Sequence, residues 1–179
     1  FAVGQAYPKR SRSQAVRPEM EALARETGES VNLAVPLGRE ALYLDQVEGT
    51  KLVRLFTAPG SRAPLHATGV GKVFLAYLGV PEGLSLTPYT PHTLTRLPDL
   101  LRELEAVRGR GYALDNEEKE LGVRCVAAPV FGASGGVVAA LSLSAPASRL
   151  SLEEAHRLAP RVVEAARRAS LRLGYTGEV

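Results

Sequence analysis

The sequence predicts an α+β fold: a curved antiparallel sheet with flanking helices. Three observations carry this. Strand-like runs come in two pairs, each joined by a short Gly-containing turn, which makes hairpins. No strand–helix–strand repeat of the parallel kind occurs. The first and last strongly periodic segments are helical and are expected to share one face of the sheet. The composition agrees, since 179 residues that are 45% hydrophobic and 23% charged suit one generous globular domain.

Each element has a local reason. Val16, Met20, Leu23 and Ala24 recur at helical spacing between Ser13 and Thr27, and Gly28 supplies the stop. Pro18 predicts an irregular first turn or a late start. Residues 31–35 and 41–47, around a turn at Gly38-Arg39-Glu40, read as a hairpin, and 52–56 as a third strand. Residues 57–66 read as loop. A helix is expected to begin near Thr68, a good N-cap residue. Residues 79–98 hold Pro81, Pro88, Pro91 and Pro98 and read as irregular. Pro98-Asp99 opens a helix with Leu100, Leu101, Leu104 and Val107 on one side, closed by Gly109 and Gly111. Tyr112–Leu114 is a short strand. Runs 125–131 and 137–144, joined by Gly132-Ala133-Ser134-Gly135-Gly136, form the second hairpin. Ser151-Leu152-Glu153-Glu154 is a capping box opening a long helix with Leu152, Ala155, Ala159, Val162, Val163, Ala166, Ala169 and Leu173, and Pro160 is expected to kink it. Sensor domains of the GAF and PAS kind have this anatomy.

Charge and cysteine content narrow the function. The net charge is +3, yet Lys9, Arg10, Arg12 and Arg17 all precede the first acid, Glu19. The basicity therefore belongs to an N-terminal arm, and the nearly neutral remainder is a poor nucleic-acid grip by itself. The lone Cys125 excludes an internal disulfide or a multi-cysteine zinc site and fits a reducing compartment. No run approaches the ~18 apolar residues of a membrane span, and no export signal opens the chain. The chain starts at Phe1 and its one methionine is Met20, so residue 1 is not expected to be a translation start.

Three constellations could carry chemistry. Gly69-Val70-Gly71-Lys72 lacks the spacing of a phosphate-binding P-loop, but N–H groups at a helix start favour an anion such as a carboxylate. Close packing of the helix on the sheet explains the same glycines. If the second hairpin turns at Ser134-Gly135, Cys125 faces Ser144 and Ala127 faces Ser142, all on one side. Hydroxyls on so apolar a strand need partners; a small polar ligand or local backbone would both serve. Asp115, at the mouth of the same sheet, is either a ligand contact or a turn residue. A Cys125–His66 nucleophile and base, or a metal at His66, Asp115 and Cys125, ranks below organic-ligand binding, since nothing orients His66 and no two His sit at ligand spacing.

The block Pro64–Lys72 followed by Leu75-Ala76 resembles the helix-start motif of the IclR family of bacterial transcriptional regulators. Arg110-Gly111-Tyr112, Asp115–Glu118, Leu121–Phe131 and Ala139–Ser144 resemble its later blocks in order, and Arg17-Pro18, Leu23-Ala24, Thr27–Val31 and Tyr43–Asp45 also fit. The resemblance covers roughly residues 13–175. It implies a GAF-like effector-binding domain over 13–179 that forms dimers or tetramers. Residues 1–12 would be the linker remnant of an absent N-terminal winged helix-turn-helix domain, through which alone DNA is bound.

The effector implied is a small carboxylate. Gly69 and Val70 match backbone positions that hold its carboxylate. Asp115 and Cys125 match polar pocket positions, Ser142 and Ser144 hydroxyl donors, and Leu55, Ala63 and Val123 apolar wall positions. Neither catalysis, a cofactor, a metal nor a membrane is implied, and the location is cytoplasmic. The rival readings are a GAF-like enzyme using Cys125 and a ligand-free oligomerisation module.

Overall fold

The computed structural model describes residues 9–51 and 58–177. The strand expected at 52–56, with Leu55, lies outside the described residues.

The first helix, α1 (Lys9–Thr27), buries Val16, Met20, Leu23 and Ala24 as their spacing requires. It begins four residues ahead of Ser13 and runs through Pro18, contrary to the expected late start. Proline removes one intrahelical bond, and here burial of the apolar stripe outweighs that loss. Arg17 and Ser13 both donate to the Asp45 carboxylate, at 2.6 and 2.9 Å, and pin the helix to the sheet.

The strands are β1 (Ser30–Leu37), β2 (Glu40–Val47), β3 (Arg62–Pro64), β4 (Ala113–Asn116), β5 (Val123–Phe131) and β6 (Val137–Pro146). They form one curled sheet in the order β3-β2-β1-β6-β5-β4, with every described pair antiparallel. The short edge strand β3 falls where a loop was expected; Ala63 pairs with Ala41. A bulge between Leu33 and Ala34 shifts the β1–β2 register, so that Tyr43 stands opposite Ala34.

Helix α2 (Gly69–Leu78) starts after Thr68, whose hydroxyl accepts the Gly71 N–H at 3.1 Å. Helix α3 (Leu97–Arg110) ends at Gly111 in the left-handed conformation. It buries Leu100, Leu104 and Val107 but leaves Leu101, expected inside, at 46% exposure. Helix α4 (Leu152–Arg172) carries the full capping box at Ser151 and Glu154 and continues through Pro160. Of its apolar residues, Leu152 is exposed and Val163 half-buried.

The two faces of the sheet differ in side-chain size. Val31, Leu33, Val35, Val126, Val130, Leu141 and Leu143 pack with α1 and α4, so the terminal helices do share one face. The opposite face presents Ala34, Ala41, Ala113, Ala127 and Ala140 to α2, with α3 behind it. Small side chains let α2 approach closely. A Cβ on Gly69 would stand 3.1 Å from the Cβ of Ala127, and one on Gly71 only 2.4 Å from the backbone of Leu65.

Candidate functional site

The α2 face turns polar at one end. Along β5 and β6, Ala127 and Ala140 give way to Cys125, Ser142 and Ser144, and along β4 Ala113 gives way to Asp115. The register brings these together, with Cys125 opposite both Ser144 and Asp115, and Ser142 opposite Ala127. Cys125 Sγ and Ser144 Oγ are in hydrogen-bond contact at 3.1 Å. The hairpin pairing expected from the turn position is therefore present.

A cavity of about 160 Å³ opens over this patch. Asp115, Cys125 and Ser144 form its polar wall, with Val123 and Ala63 beside them. Gly69, Val70 and Ser142 are buried beside it rather than in its lining. Gly69 and Val70 follow Thr68, which does line it. Their N–H groups occupy the first turn of α2, where the helix offers no acceptor. Ser142 lies one pleat inward from Ser144 on the same face.

Five lining residues were not singled out from the sequence, Ser61 in the loop before β3 among them. Tyr43 reaches the cavity because the β1–β2 bulge turns it to this face. Arg62 comes from the unexpected edge strand, and Lys119 and Glu120 from the loop after β4. Arg62 and Lys119 bring positive charge, and Glu120 negative charge, to the lining they share with Thr68.

Electrostatics set the protonation states. Burial pushes the Asp115 carboxyl up to about 7, helped by the neighbouring Glu118 charge and opposed by the Glu118 N–H, Lys72 and the Lys119 N–H. Near neutral pH this group can therefore donate a proton to a hydrogen bond or accept one. Burial, with Asp115 next to it, pushes the Cys125 thiol far above its ordinary range. A thiolate nucleophile is thus disfavoured at neutral pH. His66, the base in the rival enzyme reading, has Nε2 engaged by the Thr87 carbonyl at 2.8 Å. Among the described residues no cluster of His, Cys, Asp and Glu could hold a metal ion.

A buried ion pair holds the loop that carries Lys119 and Glu120. Lys72 is 1% exposed, and its ammonium donates to both Glu118 oxygens at 2.8 and 3.0 Å. The Glu118 N–H in turn donates to Asp115 at 2.8 Å. Glu117 adopts a φ of 58°, and its carboxylate accepts from Arg124 at 3.2 Å and from the Gly122 N–H at 2.9 Å. Thr90 and Thr93, in the proline-rich segment, donate to the Glu117 and Glu118 carbonyls, each at 2.6 Å. That segment is therefore irregular in form yet built into the site. A larger groove, about 500 Å³, lies between α3, β4 and α4, but its Glu103, Arg110 and Glu118 are already paired with one another or with Lys72.

Residues 9–171 match the family model described as bacterial transcriptional regulator IclR, C-terminal. The chain belongs to the IclR family. An IclR regulator from Thermotoga maritima superposes with a TM-score of 0.84 at 35% identity, over 92% of this chain and 69% of that one. In sequence, the chain is 38% identical to the HTH-type transcriptional regulator BhcR of Paracoccus denitrificans, over 95% of this chain and 63% of the relative. It is 39% identical to the HTH-type transcriptional repressor AllR of Escherichia coli K12, over 97% of this chain and 67% of the relative. The chain thus spans less than two thirds of BhcR's length. The inducer-binding domain of PobR from Acinetobacter, solved as a double mutant with 3-hydroxybenzoic acid, superposes at TM-score 0.81 and 26% identity, over 92% of this chain and 98% of that one. The IclR relatives are transcriptional regulators, and among the described residues no helix is long and apolar enough to cross a membrane.

Proposed function

We propose that this IclR-type domain senses a small organic acid for a cytoplasmic transcriptional regulator. One observation carries the reading: a small cavity walled by Asp115, Cys125 and Ser144 at the N-terminus of α2. The effector carboxylate lies on the Gly69 and Val70 N–H groups, where helix dipole and free donors favour an anion. Arg62 and Lys119 add positive charge to the lining. The other polar atoms of the effector reach Asp115, Cys125, Ser144 and, one pleat deeper, Ser142. Ala63 and Val123 supply apolar wall.

A cavity of about 160 Å³ is small beside the roughly 300–1,000 Å³ of a drug-sized site, which favours a small acid. The hydroxybenzoate in the PobR domain supports a carboxylic acid as the class of ligand. The high Cys125 pKa and the engaged His66 favour sensing over catalysis, and no cofactor or metal enters the scheme.

The domain works as a homodimer or homotetramer in this reading. Residues 13–179 are the sensor, and 1–12 come from the linker to a winged helix-turn-helix domain that alone touches DNA. The relatives named as HTH-type support this, since they extend beyond the part matched here. Effector binding alters operator affinity by favouring one subunit arrangement over another.

Calorimetry with a panel of small carboxylates, on wild type and on Ser142→Ala/Ser144→Ala, tests the site. Loss of about tenfold in affinity per hydroxyl is expected. Equal affinity in the two proteins sinks the assignment.

A further inference from the structure

Asn32 sits in the middle of the sheet, on β1 between β2 and β6, with Gln46 and Ser142 as its register partners. Its β1 neighbours Val31 and Leu33 enter the core under α1 and α4, so Asn32 faces the other way, with Ala34, Tyr43 and Ser142. The residue is 1% exposed. Its Oδ1 is the one buried side-chain polar atom without a hydrogen-bond partner among the described residues. A leucine would satisfy packing at such a place, whereas an unpaired amide oxygen costs free energy. The fold therefore places an acceptor where it offers no donor. Ser144, two residues along β6 from Ser142, is already in the cavity wall, about 7 Å away along the strand.

We infer that Asn32, which lies with Ser142 just behind the cavity lining, is a specificity residue whose Oδ1 accepts a hydrogen bond from a hydroxyl or N–H on the effector. This rests on the effector-binding reading above and goes further by naming the ligand class. Gly69, whose N–H holds the carboxylate, packs on Ala127, and Ala127, Ser142 and Asn32 share one register row. Asn32 with Ser142 therefore receives a donor on the carbon beside the carboxylate, while Asp115, Cys125 and Ser144 flank the effector one row out. The preferred effectors are short hydroxy acids, over oxo acids of the same size. An oxo oxygen is an acceptor, and facing Oδ1 it leaves two acceptors opposed without a proton.

The test uses lactate and pyruvate, and 2-hydroxybutyrate and 2-oxobutyrate, titrated calorimetrically into wild type, Asn32→Leu and Asn32→Ala. Wild type is expected to bind each hydroxy acid about tenfold tighter than its oxo partner. Both variants are expected to lose that ratio while keeping pyruvate affinity within about threefold. The ligand-free melting temperature of Asn32→Leu is expected to equal or exceed that of wild type, because an unpaired polar atom is gone. Asn32→Ala serves if the leucine does not fit. The inference is overturned if wild type binds the pairs equally, or if the preference survives in the variants. Were none of the acids, nor any of the wider carboxylate panel, to bind wild type, the effector-binding reading itself would fail and take this inference with it.

Discussion

Replacing Lys72 with Met tests how the site loop is held. The ammonium is almost completely enclosed and lies 2.8 and 3.0 Å from the two Glu118 oxygens and 3.5 Å from Glu103. Methionine keeps most of the side-chain volume, so the packing change is small. The dominant effect is a buried Glu118 carboxylate without its cation. Removing one member of a buried pair costs about 3–5 kcal/mol. Glu118 keeps the Asn116 N–H at 3.0 Å, and Glu103 keeps Arg110 at 3.0 Å. These contacts place the loss near the lower bound, about 3 kcal/mol. For a domain of this size that lowers the melting temperature by about 6–12 °C. Urea denaturation of wild type, Lys72→Met, Glu118→Gln and the double variant gives the coupling energy directly. The double variant is expected to lose less than Lys72→Met alone, since no charge is stranded. A loss under about 1 kcal/mol in Lys72→Met, or strict additivity in the cycle, would refute the argument.

Two further outcomes follow from particular contacts. Gly71→Ala drives a Cβ to 2.4 Å from Leu65 backbone, and a loss of about 3 kcal/mol or more in urea denaturation is expected; Gly69→Ala, meeting only the Ala127 methyl at 3.1 Å, is expected to lose about 1 kcal/mol. Asp115 gives a pH signature: its carboxyl titrates about 7 when folded against 3.8 ordinarily, so between these values the folded state holds the extra proton. Its contribution to stability therefore falls as pH rises from about 4 to about 7 and is level above that, by about 4 kcal/mol at most. Asp115→Asn should flatten this slope relative to wild type, and identical pH profiles for the two proteins would contradict the assignment.

The legible part of the site was the part fixed by strand periodicity and one turn. A turn at Ser134-Gly135 gives Cys125 the partner Ser144, and the structure has that pair, although the loop closes with Phe131 opposite Val137 and a bulge between Val130 and Phe131 supplies the one-residue shift. Thr68 was legible as a cap because a hydroxyl before a helix has few other uses. Pro18 does not delay α1, because burial of the apolar stripe overrides the local propensity of one proline. Arg62 was invisible because β3 is three residues long, inside a stretch rich in glycine and proline. Tyr43 and Leu44 cannot be told apart by alternation, since a bulge decides which of them faces Ala34. The acids of Asp115–Glu118 read as a turn, with no sign that a lysine more than forty residues earlier would be buried against one of them.

By itself, then, the sequence determined the α+β class, both hairpins, the main helices and the meeting of Cys125 with Ser144. These depend on local periodicity, on caps and on turns of a few residues. Only the tertiary structure decided that Gly71 is there for contact with Leu65, that Lys72 and Glu118 hold the site loop, and that Asn32 faces the polar side of the sheet with an unmet acceptor. Each of those depends on which distant group arrives at a given point. That is fixed by the curl of the sheet and the approach of α2, which no short window of sequence contains.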